Sequence, residues 1–306
     1  MMWRSLLRVA VASLASFVGG MLVDSVAAQD GEPICVMNVD GTGMREVARV
    51  PPRGVGSPDW SPDGKYIAFD AVGPSGWQDQ RVFVVEVATG KITDLGRGGV
   101  PSFAPDGEHV ALHNFYGNRP GGTMPGIWLA SRDGSSAKFL IEDGSHPRFS
   151  HDGKLLAYRA PTGDNLVIHE LETGKERNLF DEPTSQLSWG RDWSPDDLRI
   201  ALRRGTPDGV DEVVLVNTKG SSSGLRVRYR GNVSSHVSWS PGTDQLVVGI
   251  YLPNNGPRHL HLLDPNSRQR PVEIPEQDPA YAYCDGALSP DGKQVAFGFK
   301  PRVGPR

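Results

Sequence analysis

The sequence predicts an all-β fold: a six-bladed β-propeller, its ring closed by N-terminal strands joining the C-terminal hairpin. Three observations predict it. One hairpin motif recurs six times, its spacing suits one four-stranded blade per copy, and each end of the chain carries half of one blade. The first copy, Trp60-Ser61-Pro62-Asp63-Gly64-Lys65, leads into the apolar Tyr66-Ile67-Ala68-Phe69. Phe103-Ala104-Pro105-Asp106-Gly107 leads to Val110-Ala111-Leu112, and Phe149-Ser150-His151-Asp152-Gly153 to Leu155-Leu156-Ala157-Tyr158. Trp193-Ser194-Pro195-Asp196-Asp197, Trp239-Ser240-Pro241-Gly242 and Leu288-Ser289-Pro290-Asp291-Gly292 precede similar runs. The serine position falls at 61, 104, 150, 194, 240 and 289, so neighbouring copies are 43 to 49 residues apart. A period of roughly 40–50 residues built only from strands and turns is that of a propeller blade.

Each copy reads as strands A and B of a blade. Pro presets φ for a turn and Asp-Gly tolerates positive φ, so an apolar strand ends, reverses and returns. Strands C and D follow: Val82–Val87 turns through Ala88-Thr89-Gly90-Lys91, and Leu166–Leu171 through Glu172-Thr173-Gly174-Lys175. The last copy stops after strand B near Phe299. The missing strands C and D are supplied by Ile34–Val39 and Arg45–Val50. Closing the ring in this way leaves no open inner edge.

The 306 residues carry a formal net charge of -4 and are 38% hydrophobic. The 37 glycines and 25 prolines suit a turn-rich fold. No long basic run is present, so no nucleic-acid partner is expected. Residues 1–28 read as a signal peptide. Arg4 and Arg8 precede an apolar run to Val23, and Val26-Ala27-Ala28 offers a cleavage site before Gln29. The propeller domain then spans 29–306, and the mature protein is expected in the periplasm or outside the cell, monomeric and without a membrane span. An uncleaved anchor is the alternative.

The aromatic, the Ser-Pro-Asp-Gly-Lys turn and the apolar strand that follows resemble the TolB-type propeller repeat, over residues 34 to 299. The resemblance implies a six-bladed fold and a possible scaffold role in the cell envelope. The chain departs from TolB in leaving only a few residues between the signal and the first strand. It departs from the propellers that precede some serine-peptidase domains in stopping at residue 306. Neither a full TolB role nor a peptidase is therefore expected.

A–B and C–D turns share one face of a propeller and are short here. B–C and D–A connections share the other and are longer, including 72–80, 116–126, 252–258, 180–189 and 274–284. Binding usually sits on variable loops held by a rigid scaffold. Residues opening each strand A are therefore expected to rim the channel mouth on that face: Asp59, His146, Arg148, Arg191, Asp192, His236 and Asp285. They suit a polar ligand, a peptide end or a cation, or simply solvate a wet channel. A protein or peptide partner from the envelope is the first reading. A lyase or hydrolase at His146, His236, Arg148 and Arg191 is the second, and carbohydrate binding on Trp77 and Tyr116 the third.

Other motifs carry less. Gly220-Ser221-Ser222-Ser223-Gly224 matches a nucleophile elbow but lies between strands, where that motif needs a following helix. His259 and His261 share one side of a strand without an evident third metal ligand. The repeated Asp63, Asp106, Asp152, Asp196 and Asp291 read as turn formers. No catalytic set, metal or cofactor is expected. Cys35 and Cys284 both fall in the closing blade and either form a disulfide or stay as two buried thiols.

Overall fold

The computed structural model describes residues 31–301 except 52, 74, 115–123, 183, 185, 186, 220–224 and 255. Within these residues twenty-four strands form six four-stranded antiparallel sheets. The chain opens with β1 (Glu32–Asn38) and β2 (Arg45–Val50). Blade one is β3 (Arg53–Trp60), β4 (Tyr66–Gly73), β5 (Gly76–Glu86) and β6 (Ile92–Arg97). Blade two is β7 (Gly99–Phe103), β8 (His109–Asn114), β9 (Gly126–Ser131) and β10 (Ala137–Glu142). Blade three is β11 (Ser145–Phe149), β12 (Leu155–Arg159), β13 (Leu166–Glu170) and β14 (Glu176–Asn178). Blade four is β15 (Leu187–Trp193), β16 (Arg199–Gly205), β17 (Asp211–Asn217) and β18 (Arg226–Gly231). Blade five is β19 (Val233–Trp239), β20 (Leu246–Tyr251), β21 (Arg258–Leu263) and β22 (Val272–Glu273). The sixth sheet has the order β2-β1-β24-β23, with β23 (Tyr281–Leu288) and β24 (Gln294–Pro301) from the far end of the chain. Six blades and closure from both ends are as the repeat predicts. No helix occurs among the described residues.

The turn chemistry explains the motif. Ser61 Oγ donates to Asp63 Oδ1 at 2.7 Å and accepts from Tyr66 N at 2.9 Å, which clamps both ends of the turn. The same pair of bonds recurs at Ser150, Ser194 and Ser289. The Ser289 hydroxyl and the Lys293 N–H hold the Asp291 carboxyl below its ordinary range. These aspartates are therefore structural. Where Ala104 replaces the serine, Asp106 Oδ1 takes His109 N directly at 3.0 Å. Asp197 stands where four other copies have glycine and adopts φ 56°. Its carboxylate accepts the backbone N–H groups of His151 and Asp152 from the blade before, so the departure becomes an inter-blade tie.

The stretch expected as a B–C loop at 72–80 is mostly strand. β4 and β5 stay paired as far as Gly73 opposite Gly76, whose φ of 86° permits the reversal. The nucleophile-elbow match at 220–224 and Tyr116 lie outside the described residues.

Blade-to-blade packing buries the aromatics that end five of the six A strands: Trp60, Phe103, Phe149, Trp193 and Trp239. Each withdraws enough apolar area for about 2–3 kcal/mol. The disulfide alternative is not realised. Cys35 pairs with Phe297 on one side of β24, and Cys284 with Gly298 on the other. Two strand spacings, about 9–10 Å, separate their backbones, and both remain buried free thiols. Burial pushes both thiols above their ordinary pKa, so neither is poised to react. A reducing agent should leave the melting temperature unchanged, and a thiol reagent should label neither cysteine until denaturant unfolds the ring; mass spectrometry of labelled protein checks both.

Candidate functional site

The channel is lined by the six A strands, and each is irregular at the same place. The ladder between strands A and B breaks between Gly56 and Asp59, Gly99 and Ser102, Ser145 and Arg148, and Cys284 and Ala287. In blades four and five the break is wider, between Leu187 and Arg191 and between Val233 and Val237. Counted from the turn serine, four residues back gives Ser57, Val100, His146, Gly190, His236 and Asp285. All six line one cavity of roughly 540 Å³ on the B–C/D–A side. Ser57, Val100, His146 and Asp285 have φ between 48° and 56°. A left-handed backbone is costly for any of these and most so for β-branched Val100. Bulges of this kind re-aim side chains, and here they ring the mouth.

The seven expected rim residues divide. His146, His236 and Asp285 are at this mouth. Asp59, Arg148 and Asp192 are not: they line a second cavity of roughly 360 Å³ beside the A–B turns. They stand two positions before the turn serine, and about 3.3 Å of rise per residue carries them toward the opposite face. Arg191, one position earlier, is buried and lines neither cavity.

Asp59, Arg148 and Asp192 form one buried ion cluster across the channel. Arg148 Nη1 is 2.6 Å from Asp59 Oδ1, and its Nε and Nη2 donate to both Asp192 oxygens at 2.8 and 2.9 Å. Burial opposes the Arg148 charge, but Asp192 and Asp59 hold its proton more firmly than usual. Burial, then the nearby Asp192 charge, push the Asp59 carboxyl up to about 6 against the pull of Arg148.

The upper mouth has two sectors. On blades five, six and one, Asp285 Oδ1 lies 3.4 Å from Arg258 Nη1. Asp70 Oδ2 accepts Val100 N at 2.7 Å. Gly56 lies between these carboxylates: a Cβ there would come within 2.7 Å of Asp285 Oδ2 and 3.6 Å of Asp70 Oδ1. Burial first, and then the Asp285 charge, raise the Asp70 carboxyl to about 7. On blades two to four, the His113 and His146 rings lie 4.6 Å apart between centroids, and His113 Nδ1 accepts His146 N at 3.3 Å. Burial lowers His113 to about 3 and His146 well below its ordinary value. Both are neutral at neutral pH. Burial also lowers His236. Trp77, 58% exposed, stands at the lip.

Sequence reasoning missed Asp70, His113 and Arg159 at this mouth. All three stand nine positions after the turn serine, as the first polar residue beyond the apolar centre of strand B. Aligning the six copies at that column would have found them. His259 and His261 lead elsewhere. His259 Nδ1 is 2.6 Å from Glu273 Oε1 and its ring packs on Tyr283, away from the channel. No group of three or more metal-ligating side chains occurs among the described residues.

Two outcomes test these assignments. Arg148→Met strands two buried carboxylates and should cost about 3–5 kcal/mol in urea unfolding; adding Asp59→Asn and Asp192→Asn should recover most of it. Asp70 binds its proton more tightly folded than unfolded, so stability falls as pH rises from about 4 to 7. Asp70→Asn should therefore gain on the wild type across that window, by on the order of a few kcal/mol at pH 8, as measured by unfolding at each pH.

No protein-family model matches the chain. The Tol-Pal system protein TolB of Francisella tularensis subsp. mediasiatica is 32% identical over 83 residues, covering 26% of this chain and 18% of that protein. The match thus spans less than a fifth of the length of the TolB relatives. An uncharacterized protein of Agrobacterium fabrum is 24% identical over 200 residues, covering 63% of this chain and 54% of that protein. A TolB-type structure from Agrobacterium tumefaciens superposes with a TM-score of 0.68 at 19% identity, covering 90% of this chain and 100% of that one. TolB from Acinetobacter baumannii gives 0.61 at 17%, covering 89% and 64%. At such identities the superpositions speak for the fold, and with six repeats ringed as described, this chain has a six-bladed β-propeller fold similar to that of TolB.

Proposed function

We propose that the protein is an exported, non-enzymatic binding protein that receives a protein or peptide segment of the cell envelope in the B–C/D–A mouth. The observation that carries this reading is the ring of bulged residues around an open cavity of roughly 540 Å³, a size usual for ligand sites. Strained backbone persists where the surrounding fold over-determines it, and it clusters at binding sites. An exposed Trp77 at the lip supplies the large aromatic contact that protein interfaces favour. The partnership of TolB relatives with the Tol-Pal system supports an envelope setting, and the signal-like residues 1–28 support export. No described helix is long and apolar enough to cross a membrane.

Binding is favoured over a lyase or hydrolase by the placement of the four residues that an enzyme would combine. Arg148 is clamped between two carboxylates at the other cavity, away from His146 and His236. A histidine held far below neutrality is a weak base for catalysis at pH 7.

The test is affinity capture from envelope extract by the mature protein, beside Trp77→Ala/His236→Ala at the mouth and Lys65→Glu on the opposite face. A partner retained by the wild type and Lys65→Glu, and reduced about tenfold or more by the mouth variant, is the expected result. Equal recovery on all three baits would refute the mouth as the binding surface.

A further inference from the structure

Buried behind the wall of the mouth is a charge without a counter-charge. Arg191 is 4% exposed, and its Nη1 donates to the His146 carbonyl. Its Nε and Nη2 meet no acceptor. A buried, unpaired cation costs several kcal/mol, and each unmet donor adds its own desolvation penalty. Neutralising the guanidinium does not relieve this at pH 7: burial, then Arg159 and Arg148, bring it down only to about 9. The half-buried arginines of the channel are matched, Arg148 by Asp59 and Asp192 and Arg258 by Asp285. Arg159, on the cavity wall, gives its Nε to the Gly163 carbonyl, and no ion pair engages it among the described residues. Arg159 on the cavity wall thus bears on the buried Arg191 charge behind it, and no carboxylate pairs with either among the described residues. Gly190, directly before Arg191, is the one rim position of the six that brings no side chain.

We propose that this sector is an oxyanion subsite, in which Arg191 and Arg159 together hold a carboxylate or phosphate group entering past Gly190. Arginine presents paired N–H donors in the geometry that such groups accept. The anion supplies both the missing charge and acceptors for Nε and Nη2. The competing account makes Arg191 a purely structural donor that fixes the left-handed turn at His146.

Thermal unfolding at constant ionic strength separates the two. Chloride, acetate and inorganic phosphate are compared on the wild type, Arg191→Met, Arg159→Gln and the mouth variant Trp77→Ala/His236→Ala. Acetate or phosphate should raise the wild-type melting temperature above its chloride value, as any ligand of the folded state does, and the more effective of the two identifies the group. Arg191→Met should melt higher than the wild type in chloride and lose the anion increment. Arg159→Gln should keep the chloride value and lose most of the increment. Equal increments in wild type and Arg191→Met, which would reflect general salt effects, overturn the proposal, as does an Arg191→Met protein less stable than the wild type in chloride. If Arg191→Met does not fold, an unchanged increment in Arg159→Gln overturns it alone. The Trp77→Ala/His236→Ala protein should retain the increment, so failure of the subsite and failure of protein capture are told apart.

Discussion

The ring depends on a hydrogen bond passed from blade to blade by the residue two before each turn serine. Asp59 accepts the backbone N–H of Phe103 in the next blade, Ser102 that of Phe149, Asp192 that of Trp239 and Ser238 that of Leu288. The two remaining steps use indole N–H groups, Trp193 to the Arg148 carbonyl and Trp60 to the Ala287 carbonyl. These bonds lie along the inner edge of the sheets, where strand A has no further strand to pair with. Each would otherwise be a buried donor without a partner. The relay therefore fixes blade spacing and satisfies the innermost strands together.

Arg148 interrupts the relay as a donor in place of an acceptor, and the interruption is what joins opposite parts of the ring. By bridging Asp59 of blade one to Asp192 of blade four it spans the channel toward the A–B side. The bulges leave the other side open. The two cavities share one set of strands but differ in character: one is lined by a matched ion cluster, the other is edged by strained residues whose charges are only partly matched. A stable floor under an unsatisfied mouth is an arrangement suited to holding something.

Blade count, strand order and ring closure were legible because each depends on local signals repeated six times. Turn residues with fixed φ demands and alternating apolar strands leave few other packings. The candidate site was half legible. His146, His236 and Asp285 were placed at the mouth because they open strand A, but the same reasoning misplaced Asp59, Arg148 and Asp192. Sequence position gives a residue's place along a strand, while the bulge that decides which residue reaches the rim is a tertiary feature. Asp70, His113 and Arg159 were missed because polar residues at strand ends look like solvent-facing termini. The cysteines failed to pair for a reason of register, with β24 between them.

The closing blade has a mechanical consequence. β1 and β24 run antiparallel, with Ile34 opposite Gly298 and Asn38 opposite Gln294. Glu32 and Pro301 therefore leave the sheet on the same side, next to each other. Tension between them loads the inter-strand bonds singly, opening the seam like a zipper, with no covalent bridge to arrest it. Force applied at these points would part the circle at this seam first, starting from the side where Lys300 borders the larger cavity.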